Sequence, residues 1–143
     1  MIEGLFDSGS LPTLERLAQF SGQRHRVVMN NIANLSTPYY RPKDLSVDEF
    51  RKTLGEAIER RERSANPNGK LDIRDTRHLD FHRDGIVAEA EPSHENLMFH
   101  DRNDRSLEHE MQKLAENAMV YNASLQLMRN QFSLLASTIR EQA

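Results

Sequence analysis

The sequence predicts a mainly α-helical protein. Long N- and C-terminal helices pack as a coiled-coil pair, with a short third helix and a small irregular, β-containing segment between them. Three observations predict this. Apolar residues repeat without a break along the C-terminal third, a weaker repeat of the same kind runs near the N-terminus, and the middle is polar and broken by turn signals.

In the C-terminal third, Leu107, Met111, Leu114, Ala118, Tyr121, Leu125, Met128, Phe132, Leu135 and Ile139 follow one another at alternating spacings of four and three. That is the a/d seam of a coiled coil, because a repeat of about 3.5 residues keeps one stripe turned toward a partner. No Gly or Pro interrupts residues 104–141, so the helix would be a rod of roughly 55 Å. Asn103 or Asp104 can cap its start.

Near the N-terminus, Leu14, Ala18, Ser21, His25, Val28, Ile32 and Leu35 repeat in the same way, with Ser21 and His25 as polar members. His25 is expected to hydrogen-bond across the pair; a register-setting or pH-sensitive role is the alternative. Pro12 suits a first helical turn, with Ser10 as a candidate cap. The helix should stop near Asn34, which tolerates left-handed backbone angles, because Pro38 disfavours helix ahead of it. A shorter helix is expected from Val47 to about Arg63. Ser46 and Glu49 have capping-box spacing, and Val47, Phe50, Leu54 and Ile58 share a face.

Residues 70–100 change character. Leu71 and Ile73, then Leu79 and Phe81, alternate with charges, and Asp84-Gly85 is a turn signal. The expectation is a small, partly ordered insertion of short strands or loops. The chain therefore reads as one domain in three stretches: residues 1–35 as the N-terminal coiled-coil helix, 36–102 as a corner, short helix and middle segment, and 103–143 as the C-terminal coiled-coil helix.

Composition narrows the function. The hydrophobic fraction is 37% of 143 residues, below the globular norm of about 45–50%. The core must be small or drawn out along helix seams. A net charge of −3 gives no reason to expect nucleic acid. With no cysteine, thiol nucleophiles and thiolate metal sites are excluded. No apolar run is long enough to span a membrane, and the first residues lack the basic start and apolar core of a cleaved signal.

Nothing points to catalysis. There is no Gly-rich phosphate loop and no G-x-S-x-G. His78 and His82 have a ligand spacing that needs a helix, and His94 and His100 could extend the set. Turn signals around Asp80 and Asp84 argue instead for solvated histidines. No catalytic residue, metal site or cofactor is expected.

The segment 30–40 stands apart: Asn30-Asn31-Ile32-Ala33-Asn34-Leu35-Ser36-Thr37-Pro38-Tyr39-Tyr40. It is either an ordinary helix stop, with Tyr40 anchoring the exit, or a rigid corner that sets the subunit's angle in an assembly. Asn31-Ile32-Ala33-Asn34, then Thr37-Pro38, then Tyr40 resembles the N-I-A-N-x-x-T-P-G-Y signature of bacterial flagellar rod and hook proteins. Asn103, Leu107, Glu108, Glu110 and Met111, followed by Asn117, Tyr121 and Ala123, resemble the start of the family's C-terminal helix. The short length, Asp44 and Thr76-x-His78-Leu79 are similar to its proximal rod members. The resemblance covers both ends, about half of the chain, and fades between residues 45 and 95. The family's Gly is replaced by Tyr39.

The resemblance implies a structural subunit of the basal-body rod, exported through the flagellar type III apparatus without a cleaved signal. It implies helical assembly across the periplasm into a torque-transmitting shaft. Its partners would be further copies, other rod proteins, the adaptor at the rod base and the MS ring. The alternative is a cytosolic coiled-coil adaptor or chaperone that forms a closed oligomer.

Overall fold

The computed structural model describes residues 9–66, 69–92 and 104–141. In chain order the described elements are α1 (Leu11–Ala33), β1 (Lys43–Asp44), α2 (Val47–Glu62), β2 (Leu79–His82), β3 (Gly85–Ala88), β4 (Glu91–Pro92) and α3 (Asp104–Glu141). The protein is mainly helical, and its two long helices pack on each other.

α1 and α3 run antiparallel. Asn31 meets Glu110, Ser21 meets Asn117, and Gly22 lies beside Tyr121. Lower numbers on one helix thus match higher numbers on the other. On this register Leu11 faces about residue 130. About twelve residues of α3 extend past it, an overhang of roughly 18 Å.

α1 starts with Pro12 in its first turn, as expected, but Ser10 contributes only its carbonyl, which accepts from the Leu14 amide at 3.0 Å. The helix ends at Ala33, so Leu35 lies beyond it. Asn34 closes the helix by a different means from the expected left-handed turn: its φ is −105°, and its Nδ2 donates to the Asn30 carbonyl at 2.8 Å. The left-handed residue is Tyr39, at φ +61°. In α2 the Ser46 hydroxyl accepts from the Glu49 amide at 3.2 Å, so half of the expected capping box is made.

The main apolar core does not lie along the expected seam. Phe20, Leu45, Phe50, Leu54, Leu79 and Ile86 form it, drawn from α1, the link between β1 and α2, α2 itself and the β2–β3 hairpin. Phe50 stacks on Phe20 with ring centroids 4.1 Å apart, and on Phe81 at 6.5 Å. The described part of the middle segment carries the expected short strands and forms a folded layer over α1, while residues 93–100 lie outside the described residues. Leu71 and Ile73 pack against the same core from extended chain.

The hairpin turns through Arg83-Asp84, with His82 opposite Gly85. α1 fastens it from one side. Gln23 donates to the Ile86 carbonyl and accepts from the Ala88 amide, and Arg16 donates to the Gly85 carbonyl at 3.2 Å. On the other side the Leu79 and Phe81 amides donate to Thr76 Oγ1 and Asp75 Oδ1. Several outward backbone groups of both strands are thus taken by side chains, and the Leu79 carbonyl accepts from the Thr76 amide at 2.8 Å. A second, minimal ladder pairs Lys43 with Pro92 and Asp44 with Glu91.

Candidate functional site

Two residues of the rod-protein signature, Asn31 and Tyr40, meet Asp44 and Glu110 in one polar cluster. Asn31, in the last turns of α1, is 1% exposed. Its Nδ2 donates to the Lys43 carbonyl at 2.6 Å and to Glu110 Oε2 at 2.9 Å. Its Oδ1 accepts from the Lys43 amide and from the Tyr40 hydroxyl, each at 3.0 Å. Every hydrogen-bonding position of the amide is used. A primary amide alone offers the donor and acceptor that match both backbone groups of Lys43 while also donating to a carboxylate. Aspartate would set a second negative charge against Glu110.

Glu110 enters from α3 and is as buried as Asn31. Its other oxygen faces Lys113 Nζ at 3.7 Å, and Lys113 also faces Asp44 at 3.6 Å. Arg24 clamps Asp44 with two bonds of 2.8 Å, and the Leu45 amide adds a third of the same length. Arg24, Lys113, Asp44 and Glu110 sum to zero charge, so the cluster is buried without a net ion. α1, α3 and the chain leaving the corner are tied at this point.

Burial by itself pushes the Asp44 carboxyl up. The Arg24 hydrogen bonds and charge, the Leu45 amide and the Lys113 charge outweigh it and hold the group below its usual value. The Arg24 guanidinium is raised, chiefly by its bonds to Asp44. Burial, with a smaller push from Glu110, raises the Tyr40 phenol and keeps it a donor. The sign for Asp44 follows from linkage. A depressed carboxyl contributes stability above its unfolded pKa of about 3.9, which is lost as pH falls through the folded value. Thermal melts between pH 7 and pH 3 should show stability dropping below about pH 4, with a smaller drop in Asp44→Asn.

Polar side chains continue along the rest of the helix interface. Asn117 donates to the Ser21 carbonyl at 2.8 Å, and Ser124 is buried beside Tyr121. Glu110, Asn117 and Ser124 are spaced by seven, so the heptad is real, but the line turned to α1 lies one position before the apolar one. The apolar stripe is divided. Leu114, Ala118, Leu125, Met128 and Leu135 are half-buried, whereas Leu107, Met111, Tyr121, Phe132 and Ile139 are exposed. On α1, Val28 is fully buried and Leu14, Ala18 and Ile32 are half-buried, as is Leu35 just beyond it. His25 is exposed, which corrects the expected bond across the pair.

Of the other signature residues, Asn34 holds the turn, and its Oδ1 accepts from the Thr37 hydroxyl at 3.3 Å. Ala33, Pro38 and Tyr39 are exposed. Tyr39 adopts the conformation that glycine takes freely, so the corner keeps its shape at a cost of about 1–2 kcal/mol. Lys113, Arg24 and Lys43 were missed as members of the cluster. Lys113 sits three residues after Glu110 on a helix, and that spacing was the available signal. His78 lies ahead of β2 and faces Glu91 at 3.2 Å, while His82 is exposed at the strand's end. His94, His100 and Asn103 lie outside the described residues. Among the described residues no helix is long and apolar enough to cross a membrane.

No family model matches the chain, and no solved structure matches it. Among curated proteins it is 29% identical over 136 residues to the flagellar basal body rod protein FlgB of Bacillus subtilis (strain 168). The match covers 92% of this chain and 94% of that protein, so it includes the middle segment as well as the two ends. The chain is thus similar to the flagellar basal body rod protein FlgB along almost its whole length.

Proposed function

We propose that this protein is a structural subunit of the bacterial flagellar rod, built into the basal body by helical packing of identical or related chains. The likeness to FlgB over nearly the full length carries the reading. The half-covered apolar stripe of α3 supports it, because such a stripe calls for a further partner. The protein acts mechanically, with no reaction to perform. It is exported by the flagellar type III route without a cleaved signal and assembles in the periplasm. There it contacts further copies, other rod proteins, the adaptor at the rod base and the MS ring, and passes torque along the shaft. Non-closing, head-to-tail contacts produce such a shaft, whereas closed ones produce a dimer.

The test is to tag the chain in its own bacterium and isolate basal bodies. It should co-purify with the rod, and deletion of its gene should abolish motility. A tag confined to a cytosolic closed oligomer, with motility intact after deletion, would sink the proposal. Leu134→Asp offers a finer probe, because Leu134 is 61% exposed. The variant's unfolding midpoint should stay within about 0.5 kcal/mol of wild type, while motility is lost.

A further inference from the structure

Tyr39 combines two features that the fold of one chain does not explain. Its backbone sits at φ +61°, and its side chain is fully exposed. A bulky residue in that conformation is strained, and such strain persists where a side chain has a use. Within the chain the ring covers nothing. Pro38 beside it is exposed, as are Arg41 and Lys43, so the corner presents an aromatic knob on a basic tip.

A groove that could receive it lies elsewhere on the molecule. It has a volume of about 390 Å³ and runs between α1, the hairpin turn and α3, lined in part by Ala18, Gly22, Ile86 and Tyr121. That is within the range of pockets that hold small aromatic groups, roughly 300–1,000 Å³. Gly22 leaves the floor open: a Cβ there would meet only Tyr121, at 3.8 Å. The rim carries one charge of each sign. Arg26 can lie over an inserted ring, and Asp84 can pair with Arg41 of the incoming tip. Knob and groove are set apart along α1, from Gly22 to beyond Ala33, by roughly 17 Å or more. A chain therefore cannot fill its own groove.

We propose that Tyr39 of one copy inserts into this groove on a second copy, an anchor for a heterologous contact that repeats from chain to chain. The proposal rests on the rod-subunit reading and names one contact within it. Residues at such anchors are commonly tyrosine. The contact is head-to-tail, because the two surfaces lie at different places on each chain.

The chain has no cysteine, which gives a clean background for a direct test. A Tyr39→Cys/Gly22→Cys double variant, oxidised in assembled basal bodies and in concentrated purified protein, should give a ladder of disulfide-linked dimers, trimers and larger species. Each single variant should give dimers at most. Separately, Tyr39→Gly should melt a few degrees higher than wild type, because the strain is relieved, yet self-associate at least tenfold more weakly in sedimentation. Gly22→Leu, which fills the groove while favouring helix, should lose self-association to a similar extent. Circular dichroism checks that each variant is folded.

The proposal is overturned by the absence of a ladder, by a product that stops at dimer, or by unchanged self-association in Tyr39→Gly. Weakening by Tyr39→Gly without weakening by Gly22→Leu also overturns it, since the anchor would then sit elsewhere. Absence of wild-type self-association counts against it as well. Co-purification of the tagged wild-type chain with basal bodies is read independently. The anchor can therefore fail while the rod assignment stands.

Discussion

Replacing Asn31 by Ala is expected to cost about 2–4 kcal/mol of folding stability, seen as a lower denaturant midpoint with an unchanged slope. The side chain makes four hydrogen bonds and is buried. Removing it strands the Lys43 backbone pair and takes the amide away from Glu110. A buried carboxylate that loses a partner costs more than the lost bond itself. Asn31→Asp should be worse than Asn31→Ala, because it adds charge beside Glu110. Combining Asn31→Asp with Glu110→Gln should recover part of the loss, since one acid then faces one amide again. Equal stability of the two single Asn31 variants would show that Glu110 is not the partner that matters.

Phe50→Ala should have an effect at least as large, about 3–5 kcal/mol. Phe50 is 1% exposed and its ring is stacked between Phe20 and Phe81. Truncation opens a cavity at the junction of α1, α2 and the hairpin, where no neighbouring ring can swing in without leaving its own contacts. A chain of this size has about 5–15 kcal/mol to lose. Amide exchange in the variant should therefore quicken first in α2 and β2–β3. The Asn31–Glu110 junction, tied by other bonds, should remain protected longer. Uniform quickening along the chain would mean that the two regions unfold as one unit.

The helices were legible because their signals are local. Period, caps and breakers marked Leu11–Ala33, Val47–Glu62 and Asp104–Glu141 to within a few residues. What the helices pack on is a tertiary question, and periodicity does not answer it. A stripe such as Leu107 to Ile139 says that a helix has a sticky side, not that this side meets its own chain. The line that meets α1 contains Glu110, Lys113, Asn117 and Ser124, and reads as surface until their partners are known. Likewise the alternating Leu79 and Phe81 pointed to short strands or loops, but their short run hid a core that Phe20, Leu45, Phe50, Leu54 and Ile86 complete. The signature residues indicated the corner, yet gave no hint that Asn31 would reach across to Glu110, 79 positions away.

The side-chain bonds along the hairpin have a consequence for how these chains can crowd together. A two-stranded ribbon normally offers two open edges to which another ribbon can add, and chains packed at high density are most at risk of that error. Here Gln23 binds two groups on one edge and Asp75 and Thr76 bind two on the other, so part of what a stray strand would pair with is already taken. Growth by strand addition, the route to amyloid-like deposits, is made harder at the hairpin. In the rod assembly proposed above, contacts between neighbouring chains would then fall to the helices and the corner.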